Sequence, residues 1–107
     1  PEHIRQRRIE MLKALLTENP KDPFALYGLA MEAKVDGDLD DACELLAEVL
    51  TVEPDHLYAG YQLGEIHFSM GEIDDARTVL ETTLQRAQKL NDEKAAHELR
   101  QLLDMCE

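Results

Sequence analysis

Tryptophan is missing from this chain altogether, and tyrosine and phenylalanine together number five in 107 residues. Clusters of β-branched residues are equally scarce. Strands draw on those residue types, whereas the leucine, alanine, glutamate and aspartate that prevail here favour helices. No apolar stretch approaches the roughly eighteen residues of a membrane-crossing helix, and no signal-peptide pattern is visible. The chain opens on Pro1, so a leader or a larger parent protein stays open, with a cytoplasmic location as the expectation. Cysteine is nearly absent too. Cys43 and Cys106 match neither a zinc spacing nor a CxxC pair, which makes two reduced thiols the simplest reading and leaves a disulfide open. The length suits one domain that buries a core without staples.

Basic residues are missing from one long interval. Between Lys34 and Arg77 the sequence has no lysine or arginine but twelve carboxylates, and the formal net charge is -12. A nucleic-acid partner is disfavoured, since phosphate affinity comes from basic surface. Part of this acid has a local use: Asp38, Asp40 and Asp41 fall where the first turn of a helix favours negative charge. Arg5, Arg7 and Arg8 form a small basic patch elsewhere, read as a solvated helix face.

Within the acidic interval, VDGDLDDACELL places Asp36, Asp38 and Asp40 on alternate positions, as a calcium loop does. Such a loop also needs glycine at its sixth place and a bidentate glutamate at its twelfth; Asp41 and Ala47 stand there. Thirty-four residues downstream, MGEIDDARTVL keeps the glycine and the Asp-Asp-Ala but not the first aspartate. A turn followed by a helix start is what recurs.

Residues 23–56 laid over 57–90 give nine identities, including Ala25/Ala59, Tyr27/Tyr61, Leu29/Leu63, Gly37/Gly71, Ala42/Ala76 and Leu46/Leu80. Each copy reads as two helices joined at a Gly-Asp or Gly-Glu turn. The places of one copy read Leu26, Leu29-Ala30, Ala33, Ala42, Leu46, Val49 and Pro54; those of the other read Gly60, Leu63-Gly64, His67, Ala76, Leu80, Thr83 and Gln88. This pattern resembles the tetratricopeptide repeat family, whose period is 34 residues. The second copy departs from it at Gly60, where a large residue is expected, and at Gln88, where the missing proline lets the helix run on towards Leu90.

The flanks follow the same register: residues 4–20 align with a second helix, and Ala96, Leu99 and Leu103 with a first helix. The resemblance therefore implies an all-α, right-handed superhelical stack of antiparallel helix pairs, with an N-terminal capping helix in 1–22, repeats at 23–56 and 57–90, and a C-terminal capping helix in 91–107. Six helices are predicted, at about 3–18, 23–35, 39–52, 57–69, 73–89 and 92–105. Asp22 before Pro23 and Asp55 after Pro54 are the expected N-caps. Arg8 and Arg100 stand where the repeats have small residues (Ala42 and Ala76; Ala30 and Gly64). Terminal repeats need a polar outer face, so the two outer helices are expected to close the stack.

The resemblance also implies that first helices line a concave surface that takes peptides or helices. All five aromatic residues lie on the first helices. Phe24, Tyr27, Met31 and Lys34 form one helical stripe, Tyr58, Tyr61, Glu65 and Phe68 a second, and Lys94, His97, Gln101 and Asp104 a third. The groove so drawn has an aromatic floor, with Lys34 and Lys94 setting polarity at its edges. Helix packing and self-association are competing uses of the same rings. The family's clamp for chaperone-tail carboxylates is not implied: its places hold Tyr27, Met31, Gln62, Lys94 and Glu98, of which only Lys94 agrees.

An enzyme would need a nucleophile with a base, or two convergent carboxylates in a pocket. His3, His56, His67 and His97 fall on different helices with no serine or cysteine motif beside them, and no phosphate loop, HExxH or GxSxG occurs. His67, at a packing place, is expected to be a buried structural histidine. No cofactor or metal is expected. The sequence reads as a non-catalytic module that binds a protein or peptide, with homodimerisation through the same aromatic face as the alternative.

Overall fold

Helix ends in this chain are written by glycine and acidic residues, and the computed structural model, which describes residues 1–107, follows them closely. Six helices form: α1 (Glu2–Glu18), α2 (Pro23–Asp36), α3 (Leu39–Val52), α4 (Leu57–Ser69), α5 (Ile73–Lys89) and α6 (Glu93–Met105), with no strand. Gly37 and Gly71 take left-handed backbone at φ 80° and 79°, which L side chains adopt only with strain. The turn repeats at the same offset as the sequence does. α2 starts at Asp22, whose side chain accepts from the Phe24 and Ala25 amides, with Pro23 supplying the preset φ of a first helical residue. α3 and α5 have no side-chain cap bond and instead carry Asp40, Asp41 and Asp74, Asp75 in their first turns, where the helix dipole favours them. With no proline at Gln88, α5 continues to Lys89.

One expected cap moves by a residue. His56, not Asp55, opens α4, its Nδ1 accepting from the Ala59 amide at 3.0 Å. Asp55 instead receives a hydrogen bond from Arg86 at 2.8 Å, so a charged partner on α5 draws it away from the helix end.

The chain forms two compact units, Pro1–Glu53 and Pro54–Glu107. In the first, α1 and α3 both pack on α2, and Leu12, Ala25, Leu26, Ala30, Ala42, Leu46 and Val49 are buried. The basic patch proves to be an anchor here. Arg5 lies 2.8 Å from both Glu32 and Asp36 of α2, and Arg8 lies 3.0 Å from Glu32; antiparallel packing of α1 on α2 brings residues 24 or more apart in sequence face to face. Hydrogen bonds from Arg5, then Arg8, hold the Glu32 carboxyl below its ordinary 4.5 against the opposing effect of burial. The unfolded chain therefore takes up this proton at higher pH than the folded one, so the contribution is complete above that ordinary value and is lost as pH falls through the folded value. Glu32→Gln is expected to lower the melting temperature by a few degrees at pH 7 and by progressively less below about pH 4. A gap that stays constant in acid would show that the charge is not what matters.

In the second unit, α4 and α6 pack on α5. Ala76, Leu80, Ala87, Ala96, Leu99, Leu102 and Cys106 form its buried cluster, flanked by Leu57, Tyr61, Phe68 and Leu84. Both cysteines are free thiols. Small residues set the close approach of α4 to α5: a Cβ on Gly60 would overlap Thr83, and one on Gly64 would overlap Leu80. Gly60 is therefore no simple loss. The Thr83 side chain of α5 fills the space that a larger residue at 60 would take.

Candidate functional site

α4 places Tyr58 and Tyr61 one turn apart, and α6 brings Lys94, Ala95, Glu98 and Leu99 opposite them. Together with Leu57 and Asp92 these residues line a cleft of ≈ 80 Å³ wholly within the second unit. Tyr58 is 64% exposed, while Tyr61 is half-buried and also packs on the core. One ring is thus offered to solvent and the other forms part of the wall. Burial first, and then the carboxylates of Glu65 and Glu98, push the Tyr61 phenol above its ordinary 10. At neutral pH it is a hydrogen-bond donor in an electronegative setting.

Of the residues expected on this face, Tyr58, Tyr61 and Lys94 come together in the cleft, with half-buried Glu65 beside the phenol. Phe68 turns out to pack on the core cluster, and His97 is exposed on α6, both outside the lining. In the first unit, Phe24 is 68% exposed, and Tyr27, Met31 and Lys34 are half-buried along the same stripe of α2. Leu57, Asp92, Ala95, Glu98 and Leu99 were not foreseen as lining. The strip of α6 that faces α4 runs through positions 94, 95, 98 and 99, not through 94, 97, 101 and 104. A strip that counts i, i+1, i+4 and i+5 from Lys94 would have found it.

Two further clefts lie in the first unit. One, open and of ≈ 470 Å³, has Ile9, Leu29, Ala33 and Leu45 among its lining, with Glu32, Asp36, Asp38, Asp41, Glu44 and Glu48 around them. The other, ≈ 330 Å³, is lined by Lys21, Leu26, Glu48, Thr51 and Val52. The carboxylate run in the sequence was the signal for the first. Arg5 and Arg8 already engage Glu32 and Asp36 on its rim.

His67 is half-buried where a buried residue was expected. Its Nδ1 lies 2.7 Å from Glu72 Oε1, tying the end of α4 to the start of α5. Asp75 adds a third ligand-type atom, the set lying within 4.8 Å of one another; these are the residues that could hold a metal ion. Imidazole with two carboxylates is a donor set that zinc accepts. No helix is long and apolar enough to cross a membrane.

The family model for the tetratricopeptide repeat matches residues 36–103, more than half of the chain. No curated protein sequence matches the chain. Among solved structures, a tetratricopeptide repeat domain protein from Salinibacter ruber is 27% identical, with 83% of this chain and 90% of that one covered at a TM-score of 0.77. The TPR2B domain of yeast Sti1, solved as a pHsp70 complex, is 14% identical over 98% of this chain and 87% of that one, with a TM-score of 0.84. The Yersinia enterocolitica type III secretion chaperone SycD, solved with a peptide of the translocator YopD, is 15% identical over 98% and 81%, also at 0.84. At these last identities the likeness is one of fold.

Proposed function

The chain belongs to the tetratricopeptide repeat family, and from that premise we propose that it is a non-catalytic protein-interaction module whose aromatic first-helix residues receive a segment of a partner protein. The observation that carries this reading is the cleft between α4 and α6, where an exposed Tyr58 and a half-buried Tyr61 meet Lys94, Ala95 and Glu98. Tyrosine suits such a place because its ring covers apolar area while its hydroxyl stays wet, at little cost in conformational freedom. The partner's apolar side chains would be buried against Tyr58 and Tyr61 in the second unit; taken by itself, the first unit offers Phe24, Tyr27 and Met31 for the same use. Lys34 and Lys94 would set polarity. The yeast and Yersinia structures of like fold support the reading in that each was solved with a protein or peptide partner.

The test is capture from native extract with the chain as bait, read by mass spectrometry. Tyr27→Ala combined with Tyr58→Ala is expected to abolish recovery of the partner while the helical signal is kept, since Tyr58 is mostly exposed. Tyr61→Ala should also abolish recovery but with a lower melting temperature, because that ring supports the core. Full recovery by the folded double variant would move the binding site elsewhere. The exposed Phe24 and Tyr58 rings favour one rival reading, a homodimer built on them. Light scattering that stays monomeric across a concentration series removes it.

A further inference from the structure

The lining of the α4–α6 cleft carries unequal charge. Asp92 and Glu98 stand against a single cation, Lys94, which is exposed. The rest of the lining is apolar or aromatic: Leu57, Tyr58, Tyr61, Ala95 and Leu99. One oxygen of Asp92 is committed to the start of α6, accepting from the Ala95 amide at 3.0 Å. Its second oxygen is not used by that cap, and Glu98 enters no salt bridge within the chain.

We propose that this cleft takes a lysine or arginine side chain from the partner segment, with the aliphatic stem laid along Tyr58, Tyr61 and Leu57 and the cationic head held between Glu98 and Asp92. The inference rests on the reading that this face receives a partner, and it adds the partner's chemistry. Long basic side chains are suited to such a place, because they bury a methylene stem on apolar surface while the charge remains at the rim. An aromatic face beside the path adds attraction for the cation. An acidic segment would bring its charge against half-buried Glu98, where a like charge is costly. Burial is the larger reason that the Tyr61 phenol resists ionisation, and Glu65 and Glu98 add to it in the same direction. The wider chain agrees in sign: at net charge -12 it attracts basic segments over long range.

Random dodecapeptides displayed on phage and selected on the full 107-residue chain at low salt provide the probe. Enriched peptides are expected to share a lysine or arginine between apolar residues. Replacing that residue by norleucine should weaken binding about tenfold, and Glu98→Gln should cause a similar loss for the lysine peptide while leaving the norleucine peptide unchanged. Lys94→Gln is expected to strengthen the lysine peptide a few-fold. Enrichment of acidic peptides, or weaker binding in Lys94→Gln, overturns the proposal by making Lys94 the recognising group. Neutral peptides that enrich and are lost with Tyr58→Ala overturn it while leaving the interaction-module reading in place. No enrichment at all, or enrichment indifferent to Tyr27→Ala with Tyr58→Ala, overturns both. A concentration-dependent dimer abolished by Tyr58→Ala would put a second copy of the chain in the cleft and also overturn it.

Discussion

Gly64→Ala is expected to destabilise the second unit by roughly 1–3 kcal/mol, the usual cost of forcing extra bulk into a filled core. Two effects compete. Alanine is the better helix former by roughly 0.5–1 kcal/mol, which would stabilise an open site. Here the added Cβ would overlap Cδ2 and Cγ of Leu80, and Leu80 is fully buried in the core cluster of the unit. Close-packed interiors leave such a side chain no rotamer to escape into, so α4 must move away from α5 and the packing term wins. In a domain of this size each kcal/mol moves the melting temperature by roughly 4–8 °C, which thermal melts followed by circular dichroism resolve easily. Gly28→Ala is the contrast. Its Cβ would come 2.9 Å from Cδ1 of Leu12, the far end of one side chain. Cδ2 of the same buried side chain would lie at 3.0 Å, so Leu12 need shift only by tenths of an ångström and this variant should lose clearly less than Gly64→Ala. A Gly64→Ala protein that melts at or above the parent temperature would mean that the two helices are not in close contact there.

The second large effect is a rescue. Gly60→Leu, which restores the large residue of the repeat pattern, should cost about 3 kcal/mol or more by itself, since even a Cβ at Gly60 overlaps Thr83. Thr83→Ala alone should cost little by comparison. Its hydroxyl only donates back to the Val79 carbonyl within the same helix, at 2.8 Å, so its removal strands no buried donor. Together the two substitutions clear the space that Thr83 fills, and most of the loss should return as a favourable coupling of about 2–3 kcal/mol, the upper end of the range for residues in contact. Denaturant midpoints of the parent, both single variants and the double variant close the cycle. Losses that simply add would show that Gly60 and Thr83 do not share one packing space.

These cases mark what could be read from sequence and what could not. Gly37, Gly71 and Asp22 act on their own neighbours, so turn and cap chemistry was visible at a range of a few residues, and helix ends came out within one residue. The 34-residue recurrence carried the fold in the same way. Asp55 failed as a cap because Arg86, 31 positions away, competes for its carboxylate. Arg7 and Arg8 are exposed as a solvated face would be, but the ion pairs of Arg5 and Arg8 were missed because Glu32 and Asp36 meet them only once α1 lies on α2. At the candidate site, Tyr58, Tyr61 and Lys94 were legible as polar or aromatic residues at helical spacing. Glu98 and Ala95 were not, since the rotation of α6 about its own axis is set by how Ala96, Leu99 and Leu102 seat in the core, and periodicity fixes that angle only coarsely.

The residue that opens α4 attaches a chemical condition to the helix bearing the tyrosines. Only an imidazole with a bare Nδ1 can accept the Ala59 amide. The aspartates that open α2 and α6 accept through a carboxylate oxygen instead. The tyrosine helix is therefore the one among these three that is opened by a ring nitrogen and not by a carboxylate oxygen, so exchanging His56 for alanine would strip the Ala59 amide of its partner.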